Sequence, residues 1–239
     1  MLFRTLSILI PCYNEENTIE SVLKKLLEMN CGLNKEIIIV NDGSTDNTAA
    51  IIENFIQLNP SLKIRHLVNE KNKGKGYSIH KAIAAATGEI VVIQDADYEY
   101  NPFEYQKLLK PIMDGFADVV YGTRFKGGEA HRVLFFFHTI GNKFLTFLSN
   151  LFTGLNLSDM ETGYKMFKTE IIRTIKLKEK RFGFEPEITA KISKIKKIRI
   201  YEVGISYYGR TYEEGKKIHW KDGFRAIYCI FKYNLFSRK

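Results

Sequence analysis

The residues best suited to do chemistry gather around one short stretch, Val91-Val92-Ile93-Gln94-Asp95-Ala96-Asp97. An apolar run gives way to two carboxylates separated by one small residue. Successive side chains on a strand point to opposite faces, so Asp95 and Asp97 can share a face at its carboxyl end. That end is where open α/β sheets bind their ligands. Two neighbouring carboxylates need a cation, or one must take up a proton. Oxygen ligands favour Mg²⁺ or Mn²⁺, usually shared with a substrate's phosphates. The competing reading is a solvated turn with two chance aspartates.

The elements that must position this pair are legible around it. Glu89 to Ile93 fits a strand covered on both faces. Thr5 to Ile10 is a strand closed by Pro11, followed by a helix through Ile19, Val22, Leu23 and Leu26 with Asn14 or Asn17 as its cap. Glu36 to Val40 is a second strand, ending in the turn and helix start Asn41-Asp42-Gly43-Ser44-Thr45-Asp46. A helix through Ala49, Ile52 and Phe55 follows. Lys63 to Val68 is a third strand, and the next helix, through Ala82, Ile83 and Ala86, is ended by Gly88. Val119 to Gly122 adds one more strand. Strand, turn and helix alternate through the first half, which predicts a mostly parallel α/β sheet with helices on both faces.

In such a sheet four features meet at one crevice: Pro11 to Glu15, Asn41 to Asp46, Asp95 to Glu99, and Gly122-Thr123-Arg124. Acids predominate there, and a divalent cation would reconcile them with a diphosphate. Lys71-Asn72-Lys73-Gly74-Lys75-Gly76 is glycine-rich, basic and opens a helix, a pattern that binds phosphate through backbone amides, with Lys75 a candidate for the same ligand. It lacks the G-x-x-x-x-G-K-[ST] pattern of a nucleotide triphosphatase. No G-x-G-x-x-G or G-x-S-x-G motif opens a helix elsewhere.

The second half has a different texture. From Val133 to Phe152 an aromatic stripe (Phe137, Ile140, Phe144, Phe147, Leu151) opposes His138, Asn142, Thr146 and Asn150, marking an amphipathic helix that either packs on the core or lies in a membrane interface. The C-terminal helix repeats the theme with Trp220, Phe224, Ile227, Tyr228 and Phe231 among Lys221, Arg225, Lys232, Arg238 and Lys239. Lys and Arg outnumber acids 36 to 27, a net charge of +9 that suits an anionic partner. Cys12, Cys31 and Cys229 are scattered, so neither a zinc site nor a disulfide framework is indicated. No stretch is apolar enough to span a bilayer and none reads as a secretory signal. A cytoplasmic protein, peripheral at the membrane face, is expected.

Taken in order and spacing, Ile10-Pro11-Cys12-Tyr13-Asn14-Glu15-Glu16, Val40 to Asp46, Asn72 to Gly76 and Asp95-Ala96-Asp97 resemble the family-2 glycosyltransferases with the GT-A fold. Asp159-Met160-Glu161-Thr162-Gly163-Tyr164-Lys165, Phe184-Glu185-Pro186-Glu187-Ile188 and Tyr208-Gly209-Arg210 with Lys216-Lys217 resemble the polyprenyl-phosphate sugar synthases, the dolichyl-phosphate mannose synthases among them. The resemblance implies a GT-A domain over 1–239, with 1–125 binding a nucleotide sugar and 126–239 facing the acceptor and membrane through amphipathic helices. It implies that Pro11, Tyr13, Glu15 and Asp42 hold the nucleoside and that Asp95 and Ala96 lie under the diphosphate. Asp95, Asp97 and Glu99 would coordinate Mg²⁺ or Mn²⁺, Glu99 standing where the family often has Gln. Arg124, Arg132, Arg210 and Lys216 would meet donor or acceptor phosphates, with Asp97, Arg210 and Lys216 in catalytic roles.

The implied reaction is inverting transfer of a hexose from a GDP-mannose or UDP-glucose type of donor to a polyprenyl phosphate. Such an acceptor is largely ionised at neutral pH, its second pKa being about 6, and needs no general base. A hydroxyl acceptor on a saccharide or protein would need one, and Asp159 or Glu161 would be the candidates. A basic nucleic-acid or membrane-binding module is the non-enzymatic rival. Acids in the crevice oppose a phosphate backbone, so no nucleic-acid partner is expected.

Overall fold

Leu6, Ile8 and Ile10 of the first strand belong to one buried cluster, whereas Leu9 belongs to another on the opposite side. The same alternation separates Ile37 and Ile39 from Ile38 and Val40, and Val92 from Val91 and Ile93. A strand whose two faces are both buried requires helices above and below it. The computed structural model provides them, describing residues 3–236 except 129, 131, 134, 135, 212, 216, 218 and 219, with residues 220 and 221 described by backbone only.

The elements are β1 (Thr5–Cys12), α1 (Ile19–Glu28), β2 (Asn34–Asn41), α2 (Thr48–Leu58), β3 (Lys63–Val68), α3 (Lys75–Ala85), β4 (Ile90–Ile93), α4 (Tyr105–Met113), β5 (Val119–Thr123), α5 (Phe136–Thr153), β6 (Lys165–Lys168), α6 (Thr169–Thr174), α7 (Phe184–Ile192), β7 (Ile200–Gly204) and α8 (Trp220–Phe231). The seven strands form one sheet in the order β3-β2-β1-β4-β6-β5-β7. Only β6 is antiparallel, running between β4 and β5. Residues of α1, α2 and α4 join one core cluster; residues of α3, α6 and α7 join the other. The expected α/β architecture is therefore present, and strands from beyond residue 125 share its sheet.

Several local expectations are corrected. β1 continues through Pro11 to Cys12, because its ladder with β4 ends at Leu9–Ile93 and only β2 runs beside Pro11. Neither Asn14 nor Asn17 caps α1; the cap position is Thr18. Asn14 instead takes a left-handed φ of 49° and accepts a hydrogen bond from the Thr45 backbone N–H at 2.8 Å, tying the first strand-end loop to the second. Gly88 does not end α3, which stops at Ala85. A Cβ at Gly88 would lie 2.7 Å from the Ser7 hydroxyl, so this glycine serves close passage under β1.

Candidate active site

The carboxyl ends of β1, β2 and β4 are held by side chains that each brace a neighbouring loop. Asp42, at the end of β2, accepts from Asn69 Nδ2 (2.7 Å), the Lys73 N–H (3.0 Å) and the Gly74 N–H (2.7 Å). The basic glycine-rich loop is thereby pinned to the sheet. Gly43 lets it pass, because a Cβ there would lie 2.7 Å from the Lys71 carbonyl carbon. The Thr18 hydroxyl lies between Glu15 Oε2 (2.7 Å) and the Ala96 carbonyl (2.9 Å), linking the first loop to the third.

Asp97 and Glu99 face one cation. Arg210 reaches Asp97 Oδ2 at 2.7 Å and Glu15 Oε2 at 3.2 Å, and its backbone N–H donates to Glu99 Oε1 at 2.9 Å. Lys217 donates to the Tyr13 carbonyl and to Glu15 Oε1, the latter at 2.6 Å. The segment carrying Arg210 and Lys217 thus lies across the strand-end loops. Burial pushes the Asp97 carboxyl well above the usual carboxylate range. Glu99 and Asp95 add to the shift, and Arg210 offsets part of it. The Arg210 guanidinium, which burial alone would disfavour, is held charged by Asp97 and Glu15.

Asp95 turns to a different partner. Lys75 contacts its Oδ1 at 2.9 Å and Glu185 Oε1 at 3.2 Å. These groups line a small recess of about 100 Å³ together with Glu161 and Tyr207. Glu161 Oε1 and Glu185 Oε2 are buried without a hydrogen-bond partner, a state that costs about 1–3 kcal/mol per group unless a ligand completes it. Burial, reinforced by Glu185, raises the Glu161 pKa against the pull of Lys165 and Arg124. Burial lowers that of Lys165, opposed by Glu185 and Glu161. Gly163 permits the packing, since a Cβ there would collide with the Asp95 carboxylate.

The recess adjoins a cleft of about 1150 Å³, lined by Pro11, Tyr13, Glu15, Asp42, Lys75, Asp95, Ala96, Asp97, Glu99, Arg124, Arg132, Glu161, Arg210 and Lys217. Most of the residues singled out from the sequence therefore share one cavity. Lys216 lies outside the described residues. Asp159 does not line the cleft: it is fully buried and bound by Arg124 through Nε (2.6 Å) and Nη2 (2.7 Å). Its partner is Arg124, and it does not face the cleft as the base for a hydroxyl acceptor would. Arg132 is held by Glu214 at 2.6 Å and by the Gly209 carbonyl at 3.0 Å. The expected ligand set Asp95, Asp97 and Glu99 is split between Lys75 and Arg210. Among the described residues no three His, Cys, Asp or Glu side chains are arranged to hold a metal ion.

Sequence reasoning missed Lys217, Glu185 as a group of the recess, and Tyr207, whose hydroxyl donates to Glu99 Oε2 at 2.9 Å. Glu185 carried a signal, because it lies inside a quoted motif. Nothing in the sequence distinguishes Lys217 from Lys216.

The outer wall of the cleft belongs to α5 and α8, and both leave large aromatic side chains exposed. Thr146 and Ser149 are the buried residues of α5, while Phe137 is 81% exposed and Phe147 64%. In α8, Ala226, Cys229 and Ile230 are buried and Phe224 is 66% exposed. Phe137, Phe144 and Phe147 of α5 are exposed, whereas Leu145, Leu148 and Phe152 of the same helix pack against the core. Among the described residues no helix is long and apolar enough to cross a membrane.

Comparison with known proteins bears on this geometry. The model of glycosyl transferase family 2 matches residues 7–176. A UDP-N-acetylglucosamine–dolichyl-phosphate N-acetylglucosaminyltransferase of Methanococcus voltae is 28% identical over 245 residues, covering 96% of each chain. A dolichol-phosphate mannosyltransferase of Pyrococcus furiosus is 26% identical over 95% of this chain and 64% of that protein, so this chain spans just under two thirds of it. Among solved structures, glucosyl-3-phosphoglycerate synthase from Mycobacterium tuberculosis, in complex with Mn²⁺, UDP and phosphoglyceric acid, superposes with a TM-score of 0.74 at 20% identity. The match covers 99% of this chain and 80% of that one. That likeness bears out the GT-A architecture expected from the sequence.

Proposed function

Since this chain belongs to glycosyl transferase family 2 and is a glycosyltransferase, we propose that it moves a hexose, with inversion, from a nucleotide-diphosphate sugar to a polyprenyl phosphate at a membrane surface. One observation carries this reading. A single cleft joins the carboxylates at the strand ends to the exposed Phe137 of α5, and Arg124, Arg132 and Arg210 line it too. The Methanococcus and Pyrococcus relatives, named for dolichyl-phosphate acceptors, support it.

Pro11, Tyr13, Glu15 and Asp42 face the nucleoside, Lys75 and Ala96 the diphosphate, and the carboxylates of the recess the sugar hydroxyls. An acceptor phosphate oxygen attacks the anomeric carbon from the face opposite the diphosphate. The bond from that carbon to the diphosphate oxygen breaks, and its electron pair leaves with the nucleoside diphosphate. No proton has to move in this step. The disposition of the acids agrees. Asp159 is sealed behind Arg124, and Glu161 is biased toward its protonated form, so neither is placed as an ionised base for a hydroxyl acceptor. Arg132 and Arg210, with Lys216, supply positive charge to guide the lipid phosphate.

A divalent cation fits the donor set on chemical grounds. Asp95, Asp97 and Glu99 offer hard oxygen ligands in one cleft, where Glu15 adds a fourth carboxylate. The structural neighbour in complex with Mn²⁺ and UDP supports the same assignment. Asp95 and Asp97, with Glu99 beside them, would hold Mg²⁺ or Mn²⁺. Bound there, it would neutralise charge on the leaving diphosphate.

The test is transfer of radiolabelled sugar from UDP-glucose, GDP-mannose and UDP-N-acetylglucosamine to dolichyl and undecaprenyl phosphate in vesicles, with Mn²⁺ present. Label in an acid-labile lipid phosphate is the expected result. Transfer to saccharide hydroxyls with indifference to lipid phosphate overturns the reading.

A further inference from the structure

The recess beside the cleft holds more acid than its own cations match. Asp95, Glu99, Glu161 and Glu185 line it, against Lys75 and Arg124. Both cations are already engaged. Arg124 is bound to Asp159, which lies outside the recess, and Lys75 bridges Asp95 and Glu185 at 2.9 and 3.2 Å. Lys165 is fully buried close to Glu161 and Glu185, but its ammonium donates to the carbonyls of Met160 and Thr162. Glu99 is matched by the Arg210 backbone N–H and the Tyr207 hydroxyl. Glu161 Oε1 and Glu185 Oε2 are matched by nothing, although Glu185 is only 5% exposed.

Two such carboxylates in one recess need a cation or a proton. The protein leans toward the proton, since burial and then the charge of Glu185 push the Glu161 carboxyl up. The ligand that fills the recess decides whether that remains the answer. A sugar hydroxyl has one hydrogen to donate and brings lone pairs of its own, so it satisfies one oxygen and leaves the repulsion in place. An N-acetyl group donates once and sets a carbonyl oxygen among carboxylates. An ammonium group donates three times, accepts nothing and carries the charge that the recess lacks. Lys75 and Asp95 line both the recess and the cleft. The recess therefore opens beside the place assigned above to the diphosphate, where the donor's sugar must lie.

Resting on the function proposed above, we propose that the sugar this enzyme transfers carries a free amino group, seated as an ammonium between Glu161 and Glu185. Glu185 already shares Lys75, so Glu161 carries the choice between an amine and a hydroxyl. The donor class is thus an unacylated amino sugar on a nucleoside diphosphate, and Glu161 is its specificity-determining residue.

The experiment offers glucose, N-acetylglucosamine, glucosamine and 4-amino-4-deoxyglucose, each as its UDP and GDP derivative, to wild type and to Glu161→Gln, with undecaprenyl phosphate and Mn²⁺. The expected result is a kcat/KM for one of the amino donors at least tenfold above those for glucose and N-acetylglucosamine. In Glu161→Gln, whose amide carries no charge to pair with an ammonium, that ratio is expected to fall tenfold or more. Donor binding is read separately, from the rise in Tm of wild-type enzyme without acceptor. The same amino donor is expected to give the largest rise, so a variant that fails to fold does not remove the test. Wild type that prefers glucose or N-acetylglucosamine, or a variant that lowers kcat/KM for every donor alike, overturns the amine assignment and leaves transfer to lipid phosphate standing. An amino donor that binds best but is transferred only to an oligosaccharide hydroxyl overturns the lipid reading and supports the amine assignment.

Discussion

The inner sheet and the outer helix pair use the same kinds of residue for opposite purposes. In β6, Phe167 is fully buried between core helices; in α5, Phe147 stands in solvent while Thr146, its neighbour, is buried. An apolar side chain that faces water contributes no burial to the fold, so the fold alone gives no reason for seven large apolar residues, from Val133 to Leu151, to stand exposed along one stretch. The comparison teaches that apolar pattern and apolar burial are separate facts. The inner sheet buries its aromatics, and the outer helix pair leaves most of its own exposed.

The sharpest way to break that comparison is to make one substitution in both places. Phe167→Ala is expected to lower unfolding free energy by about 3–5 kcal/mol, the range for a large buried ring. Phe147→Ala is expected to stay within about 0.5 kcal/mol of wild type, while co-sedimentation with vesicles falls. Urea denaturation read by tryptophan fluorescence and circular dichroism measures the first pair of values. Equal destabilisation by both would show that α5 belongs to the core after all.

This distinction also marks where sequence reading stops. The strands β1, β2 and β4 were legible because both their faces are buried, which produces unbroken runs such as Ile37-Ile38-Ile39-Val40. The strand-end loops were legible because turn chemistry and carboxylates coincide there. β6 was not, since its four residues begin and end with lysine, and one of these, Lys165, is fully buried against the binary pattern. The orientation of α5 and α8 was not either. An amphipathic period shows that a helix has an apolar face but is identical whether that face meets a core or a membrane. Pairings of long sequence separation, such as Arg124 with Asp159 and Lys217 with Glu15, follow from the sheet order and had no local signal.

A second prediction concerns the inner region's other specialisation, its crowded acids. Asp97→Asn is expected to reduce transfer by about 10²–10³-fold, the scale of removing one electrostatic contact made in the transition state. Its effect on stability is expected to run the other way. Burial, Glu99 and Asp95 raise the folded-state pKa of Asp97, and an acid so shifted costs stability once the pH exceeds its ordinary value. The amide removes that cost, and Arg210 keeps Glu15 and Glu99 as partners. Tm at pH 7.5 should therefore be equal to or above wild type. A marked fall would mean that the acid is structural. Full activity would remove Asp97 from the donor site.

The smallest effect tests the clasp between the two regions. Glu179, just before α7, accepts from Arg225 (2.6 Å), Lys232 (3.0 Å) and the Tyr233 hydroxyl (2.7 Å), fastening α8 to the inner body with its aromatic face outward. Burial pushes the Glu179 carboxyl up, but the hydrogen bonds from Tyr233, Arg225 and Lys232 outweigh it and hold the pKa at about 2. A carboxyl depressed in the folded state contributes stability that is fully present above its unfolded pKa of about 4.5 and fades as pH falls toward 2. Arg225 and Lys232 are partly solvated, so screening leaves about 1–2 kcal/mol of this at neutral pH. Glu179→Gln is expected to lose that amount at pH 7, to lose progressively less through pH 4 and 3, and to match wild type near pH 2. Denaturation series at those pH values measure it. A deficit that is constant with pH would assign the clasp to packing around Tyr233 and Cys229 rather than to charge. A deficit that fades while vesicle binding weakens at every pH would show that this one buried carboxylate keeps the outer face in register with the inner site.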